Sequence, residues 1–168
     1  MTTLEQITPS NALVFKAVRL AALQDSPSAF GGTFAKESQL NDVDWLKRAA
    51  VWSNDRSVGY IVMDAGNACG IAAAFLDERD SLKAHLISMW VAPAYRRRGI
   101  GRLLIEAINT WACTRGAHML QLMVTNNDNT AIEFYKRCGF SMTGNTEPYP
   151  NDPTLIEYEM SRLIKASS

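Results

Sequence analysis

The chain has 168 residues, of which 47% are hydrophobic and 20% charged, and its 17 basic side chains balance 17 acidic ones. This length predicts a single domain, residues 1–168, with a full hydrophobic core. The balance of charge argues against a general attraction to nucleic acid or to an anionic membrane. No apolar run is long enough to span a bilayer and the N-terminus lacks a signal pattern, so we expect a soluble, cytoplasmic protein.

The cysteines give no sign of a metal site or of a disulfide framework. Cys69, Cys113 and Cys138 are odd in number and widely spaced, and no Cys-x-x-Cys pair occurs. Only His85 and His118 could add imidazole ligands. We therefore expect reduced thiols and no bound metal.

The first half of the chain changes from helical to strand-like periodicity near Ser57. Thr8 and Pro9 form a helix start, because Thr is a common N-cap and Pro fits the first helical position. Asn41 or Asp42 would cap a later helix, and Gly66-Asn67 marks a hairpin turn. The predicted elements are a strand over 2–8, a helix over 9–25, one broken or two short helices over 34–50, and hairpin strands over 58–63 and 69–76.

In the second half, strands and helices alternate. Apolar residues between Gly99 and about Arg115 share one face, which predicts an amphipathic helix packed on a sheet. Gly116 suits its C-cap, and Asn127 or Asp128 would cap a shorter helix that runs through Arg137. The predicted strands cover 83–91, 118–124, 140–144 and 155–160, and a turn-rich segment, 145–153, joins the last two.

The turn between the strand over 83–91 and the helix that follows has the chemistry of a phosphate site. Arg96 to Arg98 are consecutive arginines, and Gly99 and Gly101 follow them at the helix start. The first helical turn leaves backbone N–H groups without intrahelical partners, and glycine lets a bulky anion approach them. A plain turn with solvated arginines is the alternative. A Walker loop is absent, and Leu104 stands where a dinucleotide fingerprint needs a third glycine.

Two motifs together resemble a known superfamily. Residues 91–101, Val-Ala-Pro-Ala-Tyr-Arg-Arg-Arg-Gly-Ile-Gly, match the Arg/Gln-x-x-Gly-x-Gly/Ala acetyl-CoA motif of the GCN5-related N-acetyltransferases (GNAT). Residues 131–140, Ala-Ile-Glu-Phe-Tyr-Lys-Arg-Cys-Gly-Phe, match the second motif of that family, in the expected order and spacing. The chain resembles a GNAT member along nearly its whole length, with a looser fit over residues 1–50.

This resemblance implies an α+β fold. Its mixed, mostly antiparallel sheet would have about seven strands with helices on both faces. Two central parallel strands, 83–91 and 118–124, would splay apart and admit the pantetheine arm of acetyl-CoA. Amides from Arg97 to Arg102 would bind the pyrophosphate, the backbone of Met89 to Val91 would orient the acetyl carbonyl, and Arg96 would hold the turn or a phosphate. The implied cofactor-binding residues are Met89, Trp90, Val91, Arg96, Arg97, Arg98, Gly99, Ile100, Gly101, Arg102 and Asn129.

The resemblance also suggests catalytic residues. Tyr135 stands where many family members keep a tyrosine that protonates the departing thiolate; core packing is the alternative role. His85 stands near the position of a Glu that deprotonates the amine, and a histidine can do this work near neutral pH. A structural histidine, with a water relay or no dedicated base, is the alternative. Asp128 replaces an Asn that often contacts coenzyme A, so it is expected to serve as a helix cap, with Asn129 beside it.

The implied function is transfer of an acetyl group from acetyl-CoA to a primary amine of a small molecule or protein by direct attack. The alternatives are a non-catalytic coenzyme A-binding sensor and a nucleic-acid-binding domain that uses Arg96 to Arg98; the balanced charge argues against the latter. Dimers are common in families of this kind, which favours a homodimer. The acceptor cleft would have apolar walls and acidic groups that attract a cationic amine, and the candidates are Phe30, Trp52, Trp90, Tyr149, Glu37, Glu147 and Asp152.

Overall fold

One mixed sheet organises the protein, in a computed structural model that describes residues 1–164. Its strands are β1 (Thr2–Gln6), β2 (Ser53–Asn54), β3 (Ser57–Asp64), β4 (Asn67–Leu76), β5 (Lys83–Val91), β6 (Met119–Thr125), β7 (Ser141–Pro148) and β8 (Ile156–Leu163). The helices are α1 (Ala12–Asp25), α2 (Phe34–Glu37), α3 (Asp42–Val51), α4 (Ile100–Thr114) and α5 (Asn129–Arg137).

The sheet has the order β1-β3-β4-β5-β6-β8-β7, and the two-residue β2 pairs with β3. Among these strands only β5 and β6 are parallel, at the centre of the sheet, and the other pairings are antiparallel. The predicted α+β class with a mixed, mostly antiparallel sheet is confirmed. The sheet has eight strands instead of about seven because β2 was not predicted.

Two apolar cores cover opposite faces of the sheet. Ala72 and Ala74 of β4 lie in one core with residues of α4 and α5, while Ile71 of the same strand lies in the other core with residues of α1 and α3. This alternation follows from the two-residue period of a strand. In the second core, the ring of Phe15 meets that of Trp45 edge-on, with centroids 5.3 Å apart. The predicted helices on both faces are therefore confirmed.

Two predicted caps are confirmed, and the start of the first helix differs from the prediction. The Asn41 side chain accepts a hydrogen bond from the Asp44 N–H (2.9 Å), and Asp128 accepts one from the Ala131 N–H (3.0 Å), so both residues cap helices. The chain over 34–50 forms two helices, α2 and α3. The first turn of the predicted helix over 9–25 is a 3₁₀ turn, and the Thr8 hydroxyl bonds Ser10 instead of a helix N–H.

The predicted boundary of β7 was wrong. Residues 145–148, expected in a turn, belong to the strand, because Thr146 and Glu147 pair with Tyr158 and Glu157 of β8. Gly144, with φ +96°, lies between Met142 and Thr146, where the register of the pairing with β8 shifts. All eight residues of β7 are exposed, so hydrophobic periodicity could not locate its end.

Tyr149 fastens the loop between β7 and β8 to the segment between α1 and α2. Its side chain is buried, and its hydroxyl reaches the carbonyl oxygens of Phe30 (2.6 Å) and Pro27 (3.1 Å). The Asn151 side chain adds a bond to the Gly31 carbonyl (3.0 Å). A distant loop is thereby held against the helices that border the cavity described below.

Replacing Tyr149 by Phe is expected to destabilise the fold by about 1–3 kcal/mol, because it removes the hydroxyl that bonds the Phe30 and Pro27 carbonyls and leaves Phe30 only the longer hydrogen bond from Asn151 (3.4 Å). The free energy of unfolding, measured by urea denaturation, checks this. Tyr158→Phe is the matched control, since no hydrogen bond of the Tyr158 hydroxyl exists within residues 1–164. Equal losses in both variants would contradict the anchoring role of Tyr149.

Candidate active site

The central parallel pair separates after three residues. Lys83, Ala84 and His85 of β5 pair with Met119, Leu120 and Gln121 of β6, and beyond these residues the two strands no longer pair with each other. β5 continues to Val91 and β6 to Thr125, each still paired with its antiparallel neighbour, so the backbone groups on the facing edges of β5 and β6 border an opening. Backbone N–H and C=O groups in the middle of a sheet need partners. The opening can therefore accept an extended ligand that carries its own amide groups.

A cavity of about 1740 Å³ runs through this opening. It joins the diverging parts of β5 and β6 to the start of α4, the start of α5, and the segment that follows α1. One cavity therefore contacts both sides of the sheet. The predicted site residues that line it are His85, Met89, Trp90, Val91, Arg96, Arg97, Gly99, Ile100, Gly101, Arg102, Asn129 and Tyr135.

The turn before α4 presents a row of free donors at one end of the cavity. Gly99 is the N-cap of α4 with φ +82°, and Arg97 has φ +64°. Within residues 1–164, the backbone N–H groups from Arg97 to Arg102 donate no hydrogen bond. These donors and the dipole of the fifteen-residue helix give the turn the chemistry that suits an anion.

Gly101 is required here by close packing. A Cβ atom at this position would lie 2.7 Å from Cζ of Phe134 and 3.4 Å from Cε of Met89. α5, through Phe134, and β5, through Met89, therefore both contact the first turn of α4. The two sequence motifs meet at this point.

The arginines of the turn have different partners. Arg96 donates through Nε to the Val91 carbonyl (3.0 Å) and through Nη2 to Asp25 (2.6 Å), so it holds the turn, one of its two predicted roles. Asp25 also accepts from Nε1 of Trp90 (2.9 Å), and this bond, with smaller contributions from Ser26 and Arg96, lowers the pKa of Asp25. The Arg98 guanidinium lies over the Tyr95 ring. Arg98 is absent from the cavity lining, in contrast to Arg97.

Tyr135 lies on the α4 side of the opening, with its ring packed against Phe134 and Phe140. Burial raises the pKa of Tyr135, with smaller contributions from Asp128 and Cys138. Its hydroxyl donates to no group within residues 1–164, and the residue lines the cavity. A phenol that keeps its proton and faces a cavity is suited to donate that proton.

His85 lies on the α1 side of the sheet, at the last paired position of β5. Its ring stacks on Phe75, and its Nε2 lies 2.7 Å from Oδ2 of Asp77. This hydrogen bond, with further ones from the backbone N–H groups of Arg79 and Asp80, lowers the pKa of Asp77 to about 2. An ionised Asp77 holds the proton on Nε2, which leaves Nδ1 of His85 as the basic nitrogen.

The predicted acceptor residues separate into two groups. Phe30, Trp52 and Trp90 line the cavity, whereas Tyr149, Glu147 and Asp152 do not. The prediction that Glu37 attracts a cationic amine was wrong. Its carboxylate is buried and accepts hydrogen bonds from Arg19 (3.0 Å from Nε and from Nη2) and from Arg48 (2.8 Å), so its charge is already neutralised.

Glu157 of β8 is a carboxylate that sequence reasoning missed. It lines the cavity opposite Thr125 of β6, and its cross-strand neighbour on the other side is Glu147. Burial raises the pKa of Glu157, and the charge of Glu147 raises it further. The alternation of Glu157 and Glu159 along the last strand indicates that both side chains lie on one face of the sheet. Only the strand pairing shows which residues of β6 and β7 lie beside them.

The described residues contain neither a membrane-spanning helix nor a cluster of metal ligands. Among the elements described, no helix has both the length and the apolar character needed to cross a membrane. Within residues 1–164, no three His, Cys, Asp or Glu side chains lie close enough together to hold a metal ion. Cys69, Cys113 and Cys138 are unpaired.

Comparison with known proteins gives the family. The model of the Acetyltransferase (GNAT) family matches residues 20–140. An uncharacterized N-acetyltransferase of Methanocaldococcus jannaschii is 36% identical over 87 residues, which cover 52% of this chain and 35% of that relative. This chain thus spans about a third of that relative's length.

Solved structures agree with the fold. An acetyltransferase of the GNAT family from Streptococcus pneumoniae superposes with a TM-score of 0.81 at 21% identity, over 98% of this chain and all of that one. A putative streptothricin acetyltransferase from Bacillus anthracis, in complex with acetyl coenzyme A, superposes with a TM-score of 0.59 at 20% identity, over 66% of this chain and 64% of that one. The chain belongs to the GNAT family of acetyltransferases.

Replacing Glu157 by Gln is expected to stabilise the protein at pH 7 by up to about 1 kcal/mol, because it removes a half-buried charge that faces Glu147. A raised pKa in the folded state means that ionised Glu157 destabilises the fold. The gain should therefore disappear as the pH falls to about 4, where the carboxyl is protonated in the unfolded chain as well. Thermal unfolding of both proteins between pH 3 and pH 8 measures it.

The matched control is Glu159→Gln on the same strand. Glu159 accepts hydrogen bonds from Gln121, Thr143 and Asn145, so this change is expected to lower the melting temperature at pH 7. A lower melting temperature for Glu157→Gln as well would contradict the interpretation of Glu157.

Proposed function

We propose that this protein transfers an acetyl group from acetyl-CoA to a primary amine by direct attack. The observation that carries the proposal is that one cavity joins two sets of backbone groups that lack hydrogen-bond partners. The free N–H groups from Arg97 to Arg102 suit a pyrophosphate, and the opened pair of β5 and β6 suits the amide-bearing pantetheine arm. Membership of the family, and a solved family structure that holds acetyl coenzyme A, support this donor.

The same geometry supports the cofactor-binding residues that we propose. The amides from Arg97 to Arg102 bind the pyrophosphate, and the side chains of Arg97 and Arg102 add positive charge at the cavity. The backbone of Met89 to Val91 pairs with the pantetheine and orients the acetyl carbonyl. Asn129, exposed at the start of α5, contacts the coenzyme where Asp128 serves as the cap.

In the proposed reaction, the amine nitrogen attacks the thioester carbonyl carbon. The tetrahedral intermediate collapses, the C–S bond breaks, and an amide forms. Tyr135, which its raised pKa keeps protonated, donates its proton to the departing sulfur. Nδ1 of His85 takes the proton that the amine loses. The two groups lie on opposite faces of the sheet, on either side of the opening.

The acceptor is a primary amine of a small molecule or of a protein. It would enter from the α1 side, where Phe30, Trp52 and Trp90 provide apolar surface and Glu157 provides a carboxylate. We further propose a cytoplasmic location, which the unpaired cysteines support because reduced thiols persist there. A single domain over 1–168 and a homodimer stay predictions; residues 165–168 lie outside the described part of the chain, and light scattering would test the dimer.

Tyr135→Phe is expected to lower kcat by about a hundredfold, because the thiolate then leaves without its acid. Thiol release from acetyl-CoA measures kcat across a panel of amines, polyamines, amino acids and basic peptides. Calorimetric binding of acetyl-CoA is the control, and it should not change. Binding by the unsubstituted protein without any turnover would favour the coenzyme A sensor instead.

His85→Gln is expected to lower kcat/KM by about a hundredfold and to change the ascending limb of its pH profile, because the amine loses its proton acceptor. Rate measurements between pH 5.5 and pH 9.5 test this. Asp77→Asn is a comparison variant in which His85 remains but loses the carboxylate on Nε2. An unchanged rate in His85→Gln would favour a water relay or no dedicated base.

A further inference from the structure

β5 contains a bulge where it borders the opening. Ile71 pairs with Trp90 and Ala73 with Ile87, so the single residue Ala72 of β4 faces both Ser88 and Met89. Ser88 has φ +57°, a left-handed conformation that costs a residue with a side chain about 1–2 kcal/mol. A bulge redirects the strand that follows it. Here the redirected residues are Met89 to Val91.

One side chain from another element binds the bulge. Nη1 of Arg19, on α1, donates a hydrogen bond to Oγ of Ser88 at 3.0 Å. The other side of the same guanidinium is also hydrogen-bonded: Nε and Nη2 donate to the two carboxylate oxygens of Glu37, each at 3.0 Å. Its planar fork therefore has little freedom to move.

The Glu37 carboxylate is fixed in turn. It is 5% exposed, and Oε1 also accepts from Arg48 of α3 at 2.8 Å. The Arg19 side chain is 12% exposed and lies over the Phe30 ring. Three helices thus contribute to one ionic cluster that ends at the bulge of β5.

Stability alone explains this cluster poorly. Buried ion pairs cost desolvation, and apolar residues of similar volume are commonly as stable. Arg19, Arg48 and Ser88 all line the cavity, but within residues 1–164 only Arg19 of the cluster hydrogen-bonds a side chain of β5. The Arg19 guanidinium therefore bonds Ser88, a residue in a strained conformation, next to the backbone that would orient the acetyl group.

We propose that Arg19 is a positioning residue for acetyl transfer: by bonding Ser88, it holds the bulge in the left-handed conformation that aims the Met89 to Val91 backbone at the thioester. This inference rests on the proposed function. Arg19 touches neither reacting atom; it acts through Ser88. The helices that border the acceptor side are thereby connected to the placement of the donor.

The central experiment compares Arg19→Lys with Arg48→Lys. Both variants keep a positive charge beside Glu37, but only Arg19→Lys removes the fork that bonds Glu37 and Ser88 together. We expect Arg19→Lys to lower kcat by about tenfold with the dissociation constant of acetyl-CoA changed by less than about threefold, because small misplacement affects the chemical step most. Arg48→Lys should leave kcat within about threefold of the unsubstituted protein.

Rescue separates positioning from a structural role. Glycine adopts a positive φ without strain, so adding Ser88→Gly to Arg19→Lys should restore kcat to that of Ser88→Gly alone. Within residue 88 itself, Ser88→Ala should lower kcat by about tenfold, whereas Ser88→Gly should stay within about threefold, although both remove the hydroxyl. This second pair keeps the test valid if Arg19→Lys does not fold.

Equal loss of kcat in Arg19→Lys and Arg48→Lys, or no rescue by Ser88→Gly, would overturn the positioning role and leave the proposed function standing. Equal loss in Ser88→Ala and Ser88→Gly would also overturn it, because the hydroxyl itself would then be required. Absence of acetyl-CoA binding and of thiol release by the unsubstituted protein would overturn the proposed function, and this role with it.

Discussion

The structure depends on the separation of its two central parallel strands. β5 and β6 pair over three residues and then diverge, which leaves backbone hydrogen-bonding groups unpaired in the middle of the sheet. Such an opening is costly unless a ligand satisfies it, and the rest of the fold keeps it in place. The antiparallel neighbours β4 and β8 hold the outer edges of the two strands along most of their length.

The two faces of the sheet support different ends of the opening. On one face, α4 brings its free N–H groups to the end of β5, and Phe134 of α5 fits against Gly101 because that residue has no Cβ. On the other face, two side-chain hydrogen bonds join α1 to β5: Arg19 donates to Ser88, and Asp25 accepts from Trp90. The donor end is therefore built mainly from backbone, and the α1 side is built from side chains.

This difference explains which site residues could be predicted. A backbone anion site needs glycine, a helix start and nearby arginines, and these lie within a few residues of one another between Arg96 and Gly101. The acceptor side gathers residues from distant segments. The Glu37 carboxylate could attract a cation by its charge, yet Arg19 and Arg48 already neutralise it, while Glu157 lines the cavity and has no such partner within residues 1–164. Local sequence carries no information about such pairings.

The sequence by itself determined the α+β class, most element positions, the glycine-containing helix start after the arginines and the family, because each depends on periodicity or on a contiguous motif. Only the tertiary structure decided that Arg96 bonds Asp25, that β7 extends to Pro148, and that Ser88 forms a bulge held by Arg19. The physical reason is that ion pairs, strand register and strained backbone depend on residues far apart in the chain. Their energies are set by burial and geometry, which exist only after the elements have packed.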